Sequence, residues 1–143
     1  NGFCELSQKT EIVLVHDGVR PFLSHQMIQK SVDAAREYGA AITAIPVNDT
    51  IKRVDDSGLV SQTVDRDGLW RVQTPQVFRY ELLQEAFKKA NSEKFYGTDE
   101  GTLIEHLGKP VKVVEGSEQN IKITRPEDLR LSEIFISKTF PKN

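Results

Sequence analysis

An apolar run, Val13-Leu14-Val15, ends in His16 and Asp17, and three residues after the Asp stands Arg20, directly before Pro21. Apolar runs without alternation suit strands covered on both faces. Open α/β sheets bind ligands just beyond the carboxyl ends of such strands. Asp17 and Arg20 are therefore candidate site residues. An Asp at that place can accept from substrate hydroxyls or help to hold a divalent cation, but it does not meet phosphate oxygens directly. An Arg can orient the Asp or grip phosphate with its planar fork. A strand end closed by a surface ion pair explains this segment equally well.

Other residues could do related chemistry. Lys122 lies between Ile121 and Ile123. In an extended segment those two point one way and the lysine the other. Taken alone, a solvated lysine is the ordinary reading. Arg66 sits between Asp65 and Asp67, where a surface ion pair of little energy competes with phosphate binding. Thr50, Thr74 and Thr98 offer hydroxyls, and for Thr74 and Thr98 a turn or cap role is as good an explanation. His16, His25 and His106 show no metal-ligand spacing, and no Ser/His/Asp or Cys/His grouping stands out. Trp70 and Phe78 read as core. A single cysteine, Cys4, excludes an internal disulfide or a cysteine zinc site.

The elements that must position these residues alternate. Glu11 to His16 reads as a buried strand. Ser24 can cap a helix whose apolar face is Ile28, Val32 and Ala35, with Tyr38 one turn on and Gly39 to end it. Ala40 to Val47 is the next strand, so the spacing predicts a strand–helix–strand unit with a parallel pair. Asp55-Asp56-Ser57-Gly58 is a turn between Ile51–Val54 and Leu59–Val64, a β-hairpin. Such a polar hairpin is marginal alone in water and must lie on something, either its own domain or a partner subunit. Val72 to Phe78 is strand-like but interrupted by Pro75. Helices are predicted over Glu81 to Ala90 and Asp99 to Leu107, a strand over Val111 to Val114, and an extended piece over Ile121 to Thr124. Thr124-Arg125-Pro126-Glu127 fits a capping box for a last helix with Leu131, Ile134 and Phe135 on its apolar face.

The 143 residues suffice for one domain with a real core. A formal net charge of −2 argues against a nucleic-acid surface, though not against a local basic pocket. No apolar run reaches the length of a membrane span, and no signal peptide is visible. With one cysteine, a reduced cytoplasmic setting is expected.

Three segments carry a family likeness: His16-Asp17-Gly18-Val19-Arg20-Pro21, the run Thr63 to Phe78 containing Val64-Asp65-Arg66-Asp67-Gly68-Leu69-Trp70 and Gln73-Thr74-Pro75-Gln76, and Glu115 to Leu129. In this order they closely resemble the methylerythritol phosphate cytidylyltransferases of the non-mevalonate isoprenoid pathway. Asn48 to Arg53 and Thr98-Asp99-Glu100 fit the same pattern, and the likeness runs from about Val13 to about Ile136.

The resemblance implies an α/β fold: a Rossmann-like, three-layer nucleotidyltransferase with a mainly parallel sheet and a protruding hairpin arm. It implies a single domain over 1–143, incomplete at its amino end, whose arm at 50–64 crosses to the neighbour in a homodimer. It implies cytidylyl transfer from CTP to 2-C-methyl-D-erythritol 4-phosphate with Mg²⁺ or another divalent cation. Lys122, Arg66 and Asp17 are the implied catalytic residues, and Thr50, Arg20, Thr74 and Thr98 the substrate-binding ones. Arg66 and Thr50 are assigned to the phosphate held by the neighbouring subunit. The family opens with a Gly-rich loop that holds the triphosphate, whereas this sequence has no Gly-x-Gly. The expectation is a carboxyl-terminal two-thirds, inactive by itself. The compartment implied is the cytoplasm, or a plastid for a plant-type source. Two alternatives remain: a sibling cytidylyltransferase acting on another polyol phosphate such as ribitol 5-phosphate, and a non-catalytic dimerisation module of the same fold.

Overall fold

The computed structural model describes residues 2–7 and 9–139. After a short 3₁₀ turn at Gly2–Glu5 come β1 (Ile12–Val15), α1 (His25–Tyr38), β2 (Ala40–Pro46), β3 (Ile51–Val54) and β4 (Val60–Val64). The chain continues through β5 (Trp70–Arg79), α2 (Tyr80–Glu93), α3 (Glu100–His106), β6 (Lys112–Glu115) and α4 (Pro126–Thr139). None of the described helices is long and apolar enough to cross a membrane.

Helix α1 begins where the Ser24 side chain accepts from the Met27 N–H, satisfying one of the amides a helix start leaves unpaired. It ends at Gly39, whose φ of 92° is a conformation that glycine adopts without strain. The buried residues of α1 are Met27, Ser31 and Ala35. The expected Ile28 and Val32 flank that face half-buried, and Tyr38 is exposed. Small residues in the centre let the helix lie close on the sheet, where the Ser31 hydroxyl meets Thr43 Oγ1 at 3.3 Å.

The four-stranded sheet has the order β1-β5-β2-β6. Strand β5 is antiparallel to both β1 and β2, while β6 is parallel to β2. β1 and β2 therefore run the same way, as the strand–helix–strand reading requires, but they are not the adjacent parallel pair expected. β5 is inserted between them. Three of these four strands share a direction, yet two of the three ladders are antiparallel, which corrects the expectation of mainly parallel pairing. Gln76, Val77 and Phe78 of β5 pair with β1 on one edge and β2 on the other, and Pro75 falls at a register shift against β2 between Ile42 and Ala44. A residue without an N–H is tolerated at such an irregularity. β1 is only half-buried, with Leu14 partly exposed, whereas β2 is buried from Ala40 to Ile45. The continuous apolar reading suits β2 better than β1.

Neighbouring residues of one strand face opposite layers. Ala40 and Phe78 pack with Leu83, Ala86 and Ala90 of α2 and with Leu103 and Ile104 of α3. Ala41 and Val77 pack with Ala35 of α1 and with Val114. Helices thus cover both sheet faces, giving three layers. The last helix starts one residue later than the capping box predicted. Asp128, not Glu127, reaches back, its Oδ2 accepting from the N–H groups of Thr124 (2.9 Å) and Arg125 (2.8 Å). The Phe135 ring of this helix meets Phe22 edge-on.

Strands β3 and β4 form a separate two-stranded sheet. All four residues of β3 are exposed, and so are four of the five in β4. Asp55 organises its tip, with Oδ1 accepting from the backbone of Ser57 and Leu59 at 3.0 Å each.

Phe78 is fully buried where β5 meets α2 and α3. Phe78→Ala is expected to cost about 3–5 kcal/mol through lost burial and the cavity left behind. Urea unfolding of the full-length protein would measure it, and a loss under ~1 kcal/mol would mean this layer repacks.

Candidate active site

Beyond β1 the chain makes a turn closed by the Arg20 N–H donating to the Asp17 carbonyl at 3.0 Å. This brings the Arg20 Nε to 3.2 Å from Asp17 Oδ2. Lys122 Nζ reaches the same oxygen at 3.1 Å. The lysine arrives on the extended segment after Asn120, in which Ile121 and Ile123 are half-buried and Lys122 is exposed. That alternation is the one its sequence predicts. Two backbone contacts hold the segment against the turn: the Ile123 N–H donates to the Val19 carbonyl at 2.8 Å, and Arg20 Nη1 donates to the Asn120 carbonyl at 2.7 Å.

Exposure separates the two cations. The Arg20 side chain is 12% exposed and that of Lys122 is 48%. Arg20, little exposed, gives Nε to Asp17 and Nη1 to the Asn120 carbonyl, so it orients. Lys122 keeps donors for a ligand. Burial works against ionisation of Asp17, but hydrogen bonds and charge from Lys122 and Arg20 outweigh it, holding the carboxyl below its ordinary range.

Thr74, on β5, ties this cluster to the sheet. Its Oγ1 accepts from the Asp17 N–H at 3.0 Å and lies 2.9 Å from His16 Nδ1. Its carbonyl accepts from Asn120 Nδ2 at 2.8 Å. Asn120 is fully buried, and its Oδ1 has no hydrogen-bond partner among the described residues. Gln73 fixes the same segment, its Nε2 donating to the Ser117 carbonyl at 2.9 Å.

Asp17, Arg20, Thr74 and Lys122 all line one cavity of about 620 Å³, and Thr98 lines it too. Asp99 builds the wall beside Thr98. It caps α3 through Thr102, and it accepts from Gln76 Nε2 at 2.8 Å. Burial raises its pKa, but hydrogen bonds from Thr102 and Gln76 hold it lower overall. Thr50 and Arg66 are not among the residues lining the cavity. They stand at the feet of the hairpin, where Arg66 Nη1 donates to the Asn48 carbonyl and ties one foot to the other.

The sequence reading missed Gln73, Gln76, Asn120 and His16 as parts of this framework. The only signal was amides and a histidine flanking Thr74-Pro75 and Asp17 in otherwise apolar strands, since buried polar groups have no periodicity of their own. Among the described residues no three His, Cys, Asp or Glu side chains gather as metal ligands. Asp17 Oδ2, moreover, already receives two cations. The described residues do not by themselves form a metal centre.

A three-layer α/β sheet with cations gathered around a carboxylate beyond a strand end is an arrangement suited to an anionic ligand. The chain belongs to the 2-C-methyl-D-erythritol 4-phosphate cytidylyltransferase family, whose model matches residues 1–138. It is 50% identical over 138 residues to the 2-C-methyl-D-erythritol 4-phosphate cytidylyltransferase of Syntrophus aciditrophicus, covering 96% of this chain and 59% of that protein. It is 52% identical over 128 residues to the enzyme of the same name from Geobacillus thermodenitrificans, covering 89% of this chain and 55% of that protein. The crystal structure of 4-diphosphocytidyl-2C-methyl-D-erythritol synthase from Anaerococcus prevotii superposes with a TM-score of 0.85 at 38% identity, covering 95% of this chain and 63% of that one. The chain therefore spans under two-thirds of the length of these relatives.

The Asp17 pKa sets a pH expectation. A carboxyl lowered on folding contributes stability that is present above its unfolded value, ordinarily 3.8, and is lost as pH falls through the folded value. Carboxyl ¹³C shifts should show Asp17 titrating below 3.8 in the folded protein and moving up in Lys122→Met. No movement would mean Lys122 does not hold Asp17 in solution.

Proposed function

We propose that this chain serves in transfer of the cytidylyl group from CTP to 2-C-methyl-D-erythritol 4-phosphate, giving CDP-methylerythritol and pyrophosphate. The observation that carries this reading is the Lys122–Asp17–Arg20 cluster facing a cavity, in a chain of this family. A phosphate oxygen of the acceptor attacks the α-phosphorus of CTP. The bond to the bridging oxygen breaks, and pyrophosphate leaves with the electron pair. No protein nucleophile is needed, because the protein's task is to hold two polyanions in line and offset the charge that builds.

The residues divide this work by their chemistry. Lys122, half exposed beside the cavity, contacts the acceptor phosphate or the reacting phosphorus group. Asp17 accepts from polyol hydroxyls, and Arg20 keeps it aligned. Thr74 and Thr98 offer further polar contacts from the cavity wall. A divalent cation, Mg²⁺ or another, belongs to this reading as a companion of the triphosphate, where it offsets phosphate charge. The arm over 50–64, with Thr50 at one foot and Arg66 just after the other, brings both residues to the site of a second copy, making a homodimer the working unit. The setting that goes with this reading is cytoplasmic.

The test uses the full-length protein with CTP and Mg²⁺, offering methylerythritol phosphate or ribitol 5-phosphate and following pyrophosphate release. Release with the first and not the second is expected. Release only with ribitol 5-phosphate, or with neither, would overturn the assignment. Lys122→Ala should lower kcat about 100-fold, the scale for losing one contact to a transferring phosphoryl group. Mixed dimers of Arg66→Ala and Lys122→Ala subunits should regain part of the activity, since one of their two sites then keeps both residues. No recovery in verified mixed dimers would mean that Arg66 serves its own subunit or neither.

A further inference from the structure

His16 stands directly before Asp17 and has no part in the mechanism above. Both of its ring nitrogens are engaged: Nδ1 lies 2.9 Å from Thr74 Oγ1, and Nε2 lies 2.9 Å from the Arg20 carbonyl oxygen. We infer that His16 is a positioning residue that makes the Thr74 hydroxyl an acceptor toward the substrate and locks the turn carrying Asp17 and Arg20. The inference rests on the proposed reaction for its substrate, but its geometry does not.

The proton assignment follows from the partners. A carbonyl oxygen cannot donate, so the hydrogen must sit on Nε2 and point at Arg20. In the neutral ring that leaves Nδ1 with a lone pair, which takes the Thr74 O–H. The hydroxyl oxygen has two lone pairs, and one already accepts from the Asp17 N–H at 3.0 Å. One lone pair remains on a residue that lines the cavity.

Thr74 in this state has no hydrogen to offer. Phosphate oxygens only accept, so Thr74 is a poor phosphate contact. A polyol hydroxyl donates, so it is a good partner. His16 in this way divides the labour at the cavity, with Lys122 for the phosphate and Thr74, beside Asp17, for hydroxyls. The same ring braces the turn at its far end, because the carbonyl it holds belongs to Arg20, whose guanidinium binds Asp17 and Asn120. A ring without nitrogens would free the Thr74 proton and release that carbonyl together.

The test compares wild-type full-length protein with His16→Phe, His16→Gln and Thr74→Val. Phe keeps a ring without hydrogen bonds. Gln keeps one acceptor and one donor in a planar group. In His16→Phe the KM for methylerythritol phosphate should rise about tenfold, the scale of one lost hydrogen bond, while the KM for CTP stays put. His16→Gln should recover most of the loss. Adding Thr74→Val to His16→Phe should cost little more, because the two act as a unit. An unchanged acceptor KM, an equal rise in both KM values, or a Gln variant no better than Phe would overturn the inference. Long-range ¹H–¹⁵N spectra of the wild type need no activity. A hydrogen on Nε2 and a bare Nδ1 are expected, and the opposite tautomer or a hydrogen on both nitrogens would overturn the inference even if the reaction is as proposed. Wild-type protein that releases no pyrophosphate would sink the reaction alone, leaving those spectra to judge the geometry.

Discussion

One carboxylate between two cations is the constraint on which the site depends. Arg20 and Lys122 lie about a hundred positions apart in sequence, yet both end within 3.2 Å of Asp17 Oδ2. Two like charges this close repel unless something lies between them. Asp17 supplies that charge and leaves the trio one positive charge in excess. A trio with that balance attracts a phosphate without closing on itself. The backbone must hold the geometry, because a half-exposed ion pair contributes little stability. The Ile123–Val19 and Arg20–Asn120 hydrogen bonds do so.

Those bonds matter because of where β5 runs. By lying between β1 and β2, it carries Thr74 to the mouth of β1 and within reach of Asp17, His16 and Asn120 at once. Asn120 then couples the two halves of the site, through a buried amide on one side and its own carbonyl on the other. An Oδ1 without a partner among the described residues would cost on the order of 1–3 kcal/mol if it stayed unpaired. Gln73 completes the joint and lies so near Gly116 that a side chain there would collide with it.

The helices and strands were legible because their period is carried by many residues. The Ser24 cap, the Gly39 stop and the tip around Asp55 were legible because each is local chemistry. The insertion of β5 was not, since nothing in Trp70 to Arg79 says which strands it will part. Pairing is a tertiary choice, and it overrode the simple rule that strand–helix–strand units lie side by side. The site divides the same way. Asp17 and Arg20 stood out by type and place, Lys122 and Thr74 only through the family resemblance, and the fold brings all four to one cavity. His16, Gln73 and Asn120 could not be named, because their roles are contacts with backbone groups that only the fold brings near. The capping frame at Asp128 slipped by one residue for a related reason: Glu127 and Asp128 both carry carboxylates, and only the path of the chain before Pro126 selects between them.

The arm poses the opposite problem: its chemistry is in plain view, and its strands are exposed. Exposure on both faces gives β3 and β4 little burial to stabilise them. The hairpin is nonetheless braced at both ends, by Asp55 at the tip and by Arg66 at the feet, with Lys52 Nζ donating to Thr63 Oγ1 across the strands at 2.6 Å. Bracing of this kind would lower the entropy lost on docking against a second copy, as the proposed dimer requires. It also holds Thr50 and Arg66 in a fixed relation, away from the cavity that holds the other candidates. If Arg66 binds a phosphate, its guanidinium must do so while one donor stays on Asn48, which leaves the rest of the fork free. A second copy that brings its cavity to these feet would complete both sites by one two-fold contact. Burying the arm and finishing the pocket would then be the same event.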